Sequence, residues 1–230
     1  MTNWKAELHR GFAPPPPTGK REFLRQFTPP CMGQTDVVFA QLGYIQKWVW
    51  VLSAVIYSAA VLMLLTDFPR LLQALSACAP LLALTIVAES SRSTRYGMAE
   101  LEMSTRFSLK TVVLARLIPL GCVHPLVLLL LSFGCRNPFA AILYSTVPFL
   151  LTAFLGLSVV RRYRSHEAAY ACGGIAFSIS LLTLFSHSLF TVLYEARHLI
   201  WWILAVVFWA AATGKLYKTI LFETEEMAWN

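Results

Sequence analysis

The side chains of this sequence that are able to do chemistry fall into three groups. The histidines stand apart from one another: His124 precedes Pro125 inside an apolar run, and His187 and His198 lie at the edge of another. Glu89 closes one apolar run and Arg116 opens the next. Between these two lies the longest polar interruption in the chain, ESSRSTRYGMAELEMSTRFSLKTVVLARLI over 89–118. It holds three of the twelve acids (Glu89, Glu100, Glu102) and five of the nineteen Lys and Arg residues (Arg92, Arg95, Arg106, Lys110, Arg116). The sequence carries no GxxxxGK[ST], HExxH or GxSxG, and no paired acids at metal spacing. No catalytic, cofactor or metal site is therefore expected within this chain. The five cysteines (Cys31, Cys78, Cys122, Cys135, Cys172) are scattered without a CxxC and read as small packing residues.

Composition decides the elements that must hold these groups. Of 230 residues, 57% are hydrophobic and 13% charged, with a mean hydropathy of +0.60. Soluble domains carry about 25% charged residues, so this chain has too little polar surface to cover a globule of its size. It reads as an all-α polytopic membrane protein. Apolar run length places six membrane spans, near 48–65, 71–88, 111–133, 138–160, 168–185 and 199–214. Each must be helical, because an open strand cannot satisfy its backbone in lipid. Trp48, Trp50, Trp201 and Trp202 stand near span ends, as interfacial aromatics do.

Charge fixes the expected orientation. With both termini cytoplasmic, the inside segments hold sixteen Lys and Arg residues, and the outside loops hold only Arg70, Arg136 and Arg197. The net charge of +7, which in a soluble protein suggests nucleic acid, is accounted for by this bias, and no nucleic-acid partner is expected. The first 45 residues contain no apolar run, so the first span is expected to act as its own insertion signal. Within them, Pro14–Pro17 is a short polyproline spacer. Phe23, Leu24 and Phe27 oppose Arg21 and Arg25 on an amphipathic helix that Pro29-Pro30 ends, and 34–45 form a second such piece. These segments lie in the membrane interface or form a small cytosolic cap; both readings are open.

The polar groups then take their places. His124 sits in the third span as a functional intramembrane residue or as an interhelical hydrogen-bonding one beside the proline kink. Glu89 and Arg116 reach the interface by snorkelling, or pair with each other. Gly173-Gly174 in the fifth span reads as a site of close helix approach or bending. The segment 186–198, with Glu195 and Arg197, is either a re-entrant half-helix or the outer end of the fifth helix plus a turn. The segment 215–230 forms a surface helix or a solvated tail.

In the central loop, Tyr96-Gly97 breaks the helix leaving the second span, and 98–109 can form about three turns. Met98, Leu101, Thr105 and Leu109 share one face, and Met103 and Phe107 lie roughly opposite. Glu102 and Arg106 form an acid-before-base i,i+4 pair. Two small apolar faces suit a helix that rests on the membrane domain and presses outward on something else; an ordinary juxtamembrane turn is the alternative.

This layout resembles the permease subunits of ABC-2 type ABC transporters. The stretch RYGMAELEMSTRFSLKTVVLARL over 95–117, with its E-x-E followed by R-x-S, is similar to the cytoplasmic coupling loop of such permeases. The resemblance implies an amphipathic N-terminal interfacial helix, six spans, a coupling helix between spans two and three, and a cell-membrane location. It also implies a homodimer, or a heterodimer with a second permease, and a separately encoded ATPase that binds ATP and Mg. The implied ATPase contacts are Met98, Glu100, Leu101, Glu102, Met103, Arg106 and Phe107, and the candidate gating or helix-edge polar residues are Glu89, Arg116, His124 and Glu195. A regulatory or sensory membrane protein that holds a cytosolic signalling partner is the alternative function.

Overall fold

The computed structural model describes residues 39, 42–66, 71–92, 109–163, 167–190, 194 and 196–227. Among these the chain is all helical. Six α-helices run in order: α1 Lys47–Leu65, α2 Leu71–Ser90, α3 Leu109–Ser132, α4 Pro138–Arg162, α5 Glu167–Leu189 and α6 Leu199–Met227, with a short 3₁₀ turn at Ala196–His198 before α6. All six are long and apolar enough to cross a membrane. The chain is thus a multi-pass membrane protein by the length and composition of its helices.

The helices are continuous because each apolar run lacks an internal charge cluster and closes its own backbone hydrogen bonds. Their ends are set locally. Thr66 stops α1, its Oγ1 donating back to the carbonyls of Leu62 and Met63 at 3.0 and 3.2 Å. Pro138 occupies the first turn of α4, where its missing N–H costs nothing, and Arg161 and Arg162 sit in the last turn, facing the negative end of the helix dipole. Four prolines lie inside helices: Pro80 in α2, Pro119 and Pro125 in α3, and Pro148 in α4. Each removes one backbone donor, and neighbouring hydroxyls serve carbonyls nearby. Ser180 of α5 donates to the carbonyl of Ala77, three residues before Pro80. Thr152 donates to the carbonyl of Pro148 itself at 2.8 Å.

Helices α2 and α4 form the centre of the bundle. Their apolar stretches are 56% and 61% buried, whereas that of α6 is wholly on the periphery. The two pack most extensively on each other; α5 lies against α2 and α4, and α6 lies along α4. The main core gathers Ile56 of α1, Ala79, Leu82 and Ala83 of α2, Leu128 of α3, and Phe149 and Ala153 of α4. The α2–α4 approach depends on Gly156: a Cβ there would stand 2.9 Å from Val87 Cγ2. The Gly173-Gly174 pair of α5 plays no such part. A Cβ at either position would meet nothing within 4 Å, so the expected close approach there is corrected to Gly156. Tight packing follows the buried centre of the bundle, and the Gly pair lies away from it.

Helix α6 also departs from expectation. It extends thirteen residues beyond Gly214 to Met227, so 215–227 continue the sixth helix. No breaker follows the lone Gly214, and Leu216, Tyr217 and Ile220 pack on a cluster of Val87, Leu157 and Cys172 from three other helices. That apolar contact carries the helix on. Helix α5 continues to Leu189, which agrees with the reading of 186–198 as the outer end of the fifth helix plus a turn. Alternating helix directions bring Lys47, Arg92, Arg161 and Arg162 to one end of the bundle, termed the basic end below.

Candidate functional site

Three helices converge on His124. Tyr57 of α1 places its hydroxyl 2.5 Å from His124 Nδ1, and Thr85 of α2 places its Oγ1 2.8 Å from His124 Nε2. The directions follow from counting protons. Thr85 has one, and its Oγ1 donates it to the carbonyl of Leu82 at 2.7 Å. Its bond with His124 therefore has Nε2–H as donor. A ring that is 0% exposed, with only hydroxyls as hydrogen-bond partners, carries no compensated charge and stays neutral, so Nδ1 is an acceptor, filled by the Tyr57 O–H. The ring is a neutral imidazole in the Nε2–H tautomer, assigned here from the hydrogen-bond network. His124 and Thr85 are both 0% exposed, and Tyr57 is half-buried at the edge of the network.

Local sequence sets up each member. Val49, Ser53, Ile56 and Ala60 form the buried seam of α1, spaced three and four residues apart, and Tyr57 lies beside it. Pro125 directly follows His124 in α3. Ser53, one turn before Tyr57, is 2% exposed, and its Oγ has no hydrogen-bond partner among the described residues.

Chemically, the cluster ties helices together. Both imidazole nitrogens are committed, so the ring offers no lone pair to a metal and no free base to a substrate in this state. Among the described residues, no group of three His, Cys, Asp or Glu side chains is placed to hold a metal ion. No family model, no curated protein and no solved structure matches this chain. The reading of the site therefore rests on its own geometry.

A second polar constellation lies toward the basic end, at the end of α2 and in the first turns of α3. Glu89 is 4% exposed and Arg116 is 8% exposed, so neither snorkels. This corrects the expected reach to the interface: both side chains lie within the packed protein, where a charge must find partners. Glu89 forms an ion pair with Arg92 at 3.0 Å, one helical turn away. Arg92 also donates to the backbone carbonyl of Tyr44, binding the end of α2 to the segment that leads into α1. Ile45 in that same segment is buried against Val49 and Leu120. Met98, Glu100, Leu101, Glu102, Met103, Arg106 and Phe107 lie outside the described residues, as do Glu195, the amphipathic stretch at 21–27 and most of 34–45.

At the opposite end, aromatic residues hold the entry to α6. Tyr144 of α4 is 2% exposed and donates its hydroxyl to the carbonyl of Tyr194 at 2.9 Å. The rings of Tyr144 and Trp202 meet edge to face, 4.9 Å between centroids, and Tyr194 lies 4.9 Å from Tyr144 in the same manner. The hydroxyls of Tyr194 and Ser186 are 2.7 Å apart. Burial pushes the Tyr194 phenol above its ordinary range, which keeps it protonated. His198 lines a shallow pocket with Trp201, Trp202 and Ala205.

Of the residues singled out by sequence, His124 is joined to two others, and Glu89 at the end of α2 and Arg116 within α3 are buried. Tyr57 and Thr85 were not singled out. They stand 67 and 39 residues from His124, and their only signal was a polar group in mid-span.

Proposed function

We propose that this chain is the transmembrane permease subunit of an ABC transporter, coupling ATP hydrolysis by a separate ATPase to the movement of a lipid-like or peptide-like substrate. The observation that carries the reading is the burial of two charged side chains near the 93–108 segment: Glu89 at the end of α2, and Arg116 about two turns into α3. A merely solvated loop is expected to let its flanking charges reach water. Here they are held in the bundle, and Arg92 braces the same point against Glu89 and the Tyr44 carbonyl. A force applied to the segment therefore passes into α2 and α3, and through the His124 network into α1.

In this reading the basic end is cytoplasmic, by the strong Lys and Arg asymmetry. The 98–109 stretch is the coupling helix: Met98 and Leu101 rest toward the membrane domain, and Met103 and Phe107 press into the ATPase. Glu100, Glu102 and Arg106 supply the charged contacts. The ATPase holds ATP and Mg, and the permease works as a dimer with itself or a second permease. ATP-driven closure of two ATPase subunits is transmitted through the coupling helices to the spans.

The test is a pull-down of the tagged chain from native membranes, with a second sample carrying Glu100, Glu102, Met103 and Phe107 changed to Ala. An ATPase should co-purify with the parent chain and be lost from the variant. If no ATPase appears, the transporter reading fails, and a soluble signalling protein in its place would favour the regulatory reading. If the variant retains the ATPase unchanged, the docking site lies elsewhere.

A further inference from the structure

The structure assigns an anionic-phospholipid headgroup site to Lys215 and Lys218 on the outward face of α6, near the basic end. Three observations place it. First, α6 turns Leu216, Tyr217 and Ile220 inward, against the buried cluster of Val87, Leu157 and Cys172. At 100° per residue, Lys215 and Lys218 then fall on the opposite side of the helix, and both are exposed. Three residues apart, they are neighbours on one face, about 5–6 Å between Cβ atoms. Second, α6 is set in register along α4 by Thr213, which donates to the Leu150 carbonyl at 3.5 Å, and by the Phe154 and Trp209 rings, 5.4 Å apart. Followed up both helices, this register puts Lys215 short of Arg161 and Arg162, which close α4, and so further into the apolar part of the bundle. Third, α6 has 29 residues, about 43 Å of helix against about 30 Å of hydrocarbon. Its membrane-length stretch runs from Leu199 to Ile220, so the two lysines fall in the last two turns of that stretch, where the helix passes from acyl chains to headgroups.

A lysine on a lipid-facing surface just below the interface extends its stem along the helix and brings its ammonium up to the phosphates. Two such ammoniums side by side make a local positive site that favours a headgroup with net negative charge. A zwitterionic headgroup brings its own cation to the same place and is held less well. Glu223, Glu225 and Glu226 follow further along α6, beyond the lysines and away from the apolar part. The acids therefore belong to the aqueous side, and the lysines to the headgroup layer. The occupant is the membrane's own anionic phospholipid, and the site is independent of any ATPase partner.

The experiment uses the full-length chain in neutral detergent micelles. Binding of phosphatidylglycerol is measured against phosphatidylcholine, with inorganic phosphate as a third probe. Each lysine near a charged headgroup contributes roughly a fivefold change in affinity, so the double variant Lys215→Gln/Lys218→Gln should lose about 25-fold in phosphatidylglycerol binding. Phosphatidylcholine binding should stay unchanged. Lys215→Arg/Lys218→Arg should retain the preference, and Lys47→Gln, another exposed cation at the same end, should leave it intact. In the parent chain the preference should fall as salt is raised. The assignment is overturned if the parent chain binds both lipids equally, or if Lys47→Gln weakens binding as much as the double variant does. It is also overturned if millimolar phosphate displaces phosphatidylglycerol, since the site would then take any free anion.

Discussion

Replacing Tyr57 by Phe removes one oxygen and tests the central polar network. In the parent structure, that hydroxyl fills the Nδ1 lone pair of a ring that is 0% exposed. After the change, Nδ1 faces an apolar bundle with no donor. Interhelical hydrogen bonds in membranes average about 0.6 kcal/mol and reach about 1.7, while a buried group left unpaired costs about 1–3 kcal/mol. The ring is fully buried and the Tyr57 side of the bond half-buried, so we expect Tyr57→Phe to destabilise by about 1–2 kcal/mol. Thr85→Val should cost a similar amount, because it orphans Nε2–H. The decisive measurement is a double-mutant cycle of Tyr57→Phe with His124→Leu, read by reversible unfolding in mixed micelles. Once the imidazole is gone, removing the tyrosine hydroxyl should cost little, giving a coupling of about 0.6–1.7 kcal/mol. A coupling below about 0.3 kcal/mol lies within ordinary additivity. That result would refute the assignment of Tyr57 as the donor to His124, and with it the tautomer deduced from Thr85.

Two further predictions address packing and topology. Gly156→Ala should destabilise the bundle by about 1–3 kcal/mol of overpacking, read as a lowered melting temperature, because its methyl would meet Val87 at 2.9 Å; Gly174→Ala meets nothing within 4 Å and should be neutral or stabilising through helix propensity. Cys135, in the turn between α3 and α4, should label slowly with a membrane-impermeant maleimide applied outside the cell if the basic end is cytoplasmic, and not at all if the orientation is reversed. Burial pushes its thiol above the ordinary range, so less thiolate is present at a given pH than for a free cysteine. Its labelling rate should therefore keep rising with pH where a free thiol's has levelled off. A plateau at ordinary thiol pH would contradict that burial.

Much of the architecture was legible because it follows from local composition. A helix in lipid needs only an uninterrupted apolar run of sufficient length, so the starts of α1, α2, α4 and α6 lie within one residue of those read from the sequence. The far end of α6 was less legible, for a non-local reason. Polarity at Lys215 and Lys218 suggested an end, but Leu216, Tyr217 and Ile220 continue the helix by packing on residues from α2, α4 and α5. Gly173-Gly174 misled in a similar way. Adjacent glycines permit close approach, but which glycine is used depends on which helix faces which, and that role falls to Gly156 beside Val87.

The candidate site divides along the same line. The sequence by itself determined that His124 is an imidazole in mid-span beside a proline, because residue type and apolar context are both local properties. It also determined that Glu89 and Arg116 flank the one long charged loop. Only the tertiary structure decided that Tyr57 and Thr85 meet His124 from two other helices, and that Glu89 and Arg116 are buried. The physical reason is that an apolar helix surface encodes no rotation of its own about the helix axis. Lipid and protein present similar apolar environments, so hydrophobic patterning does not say which face turns inward. That choice is made by the fit of small residues and by the pairing of buried polar groups, and both require partners distant in the chain.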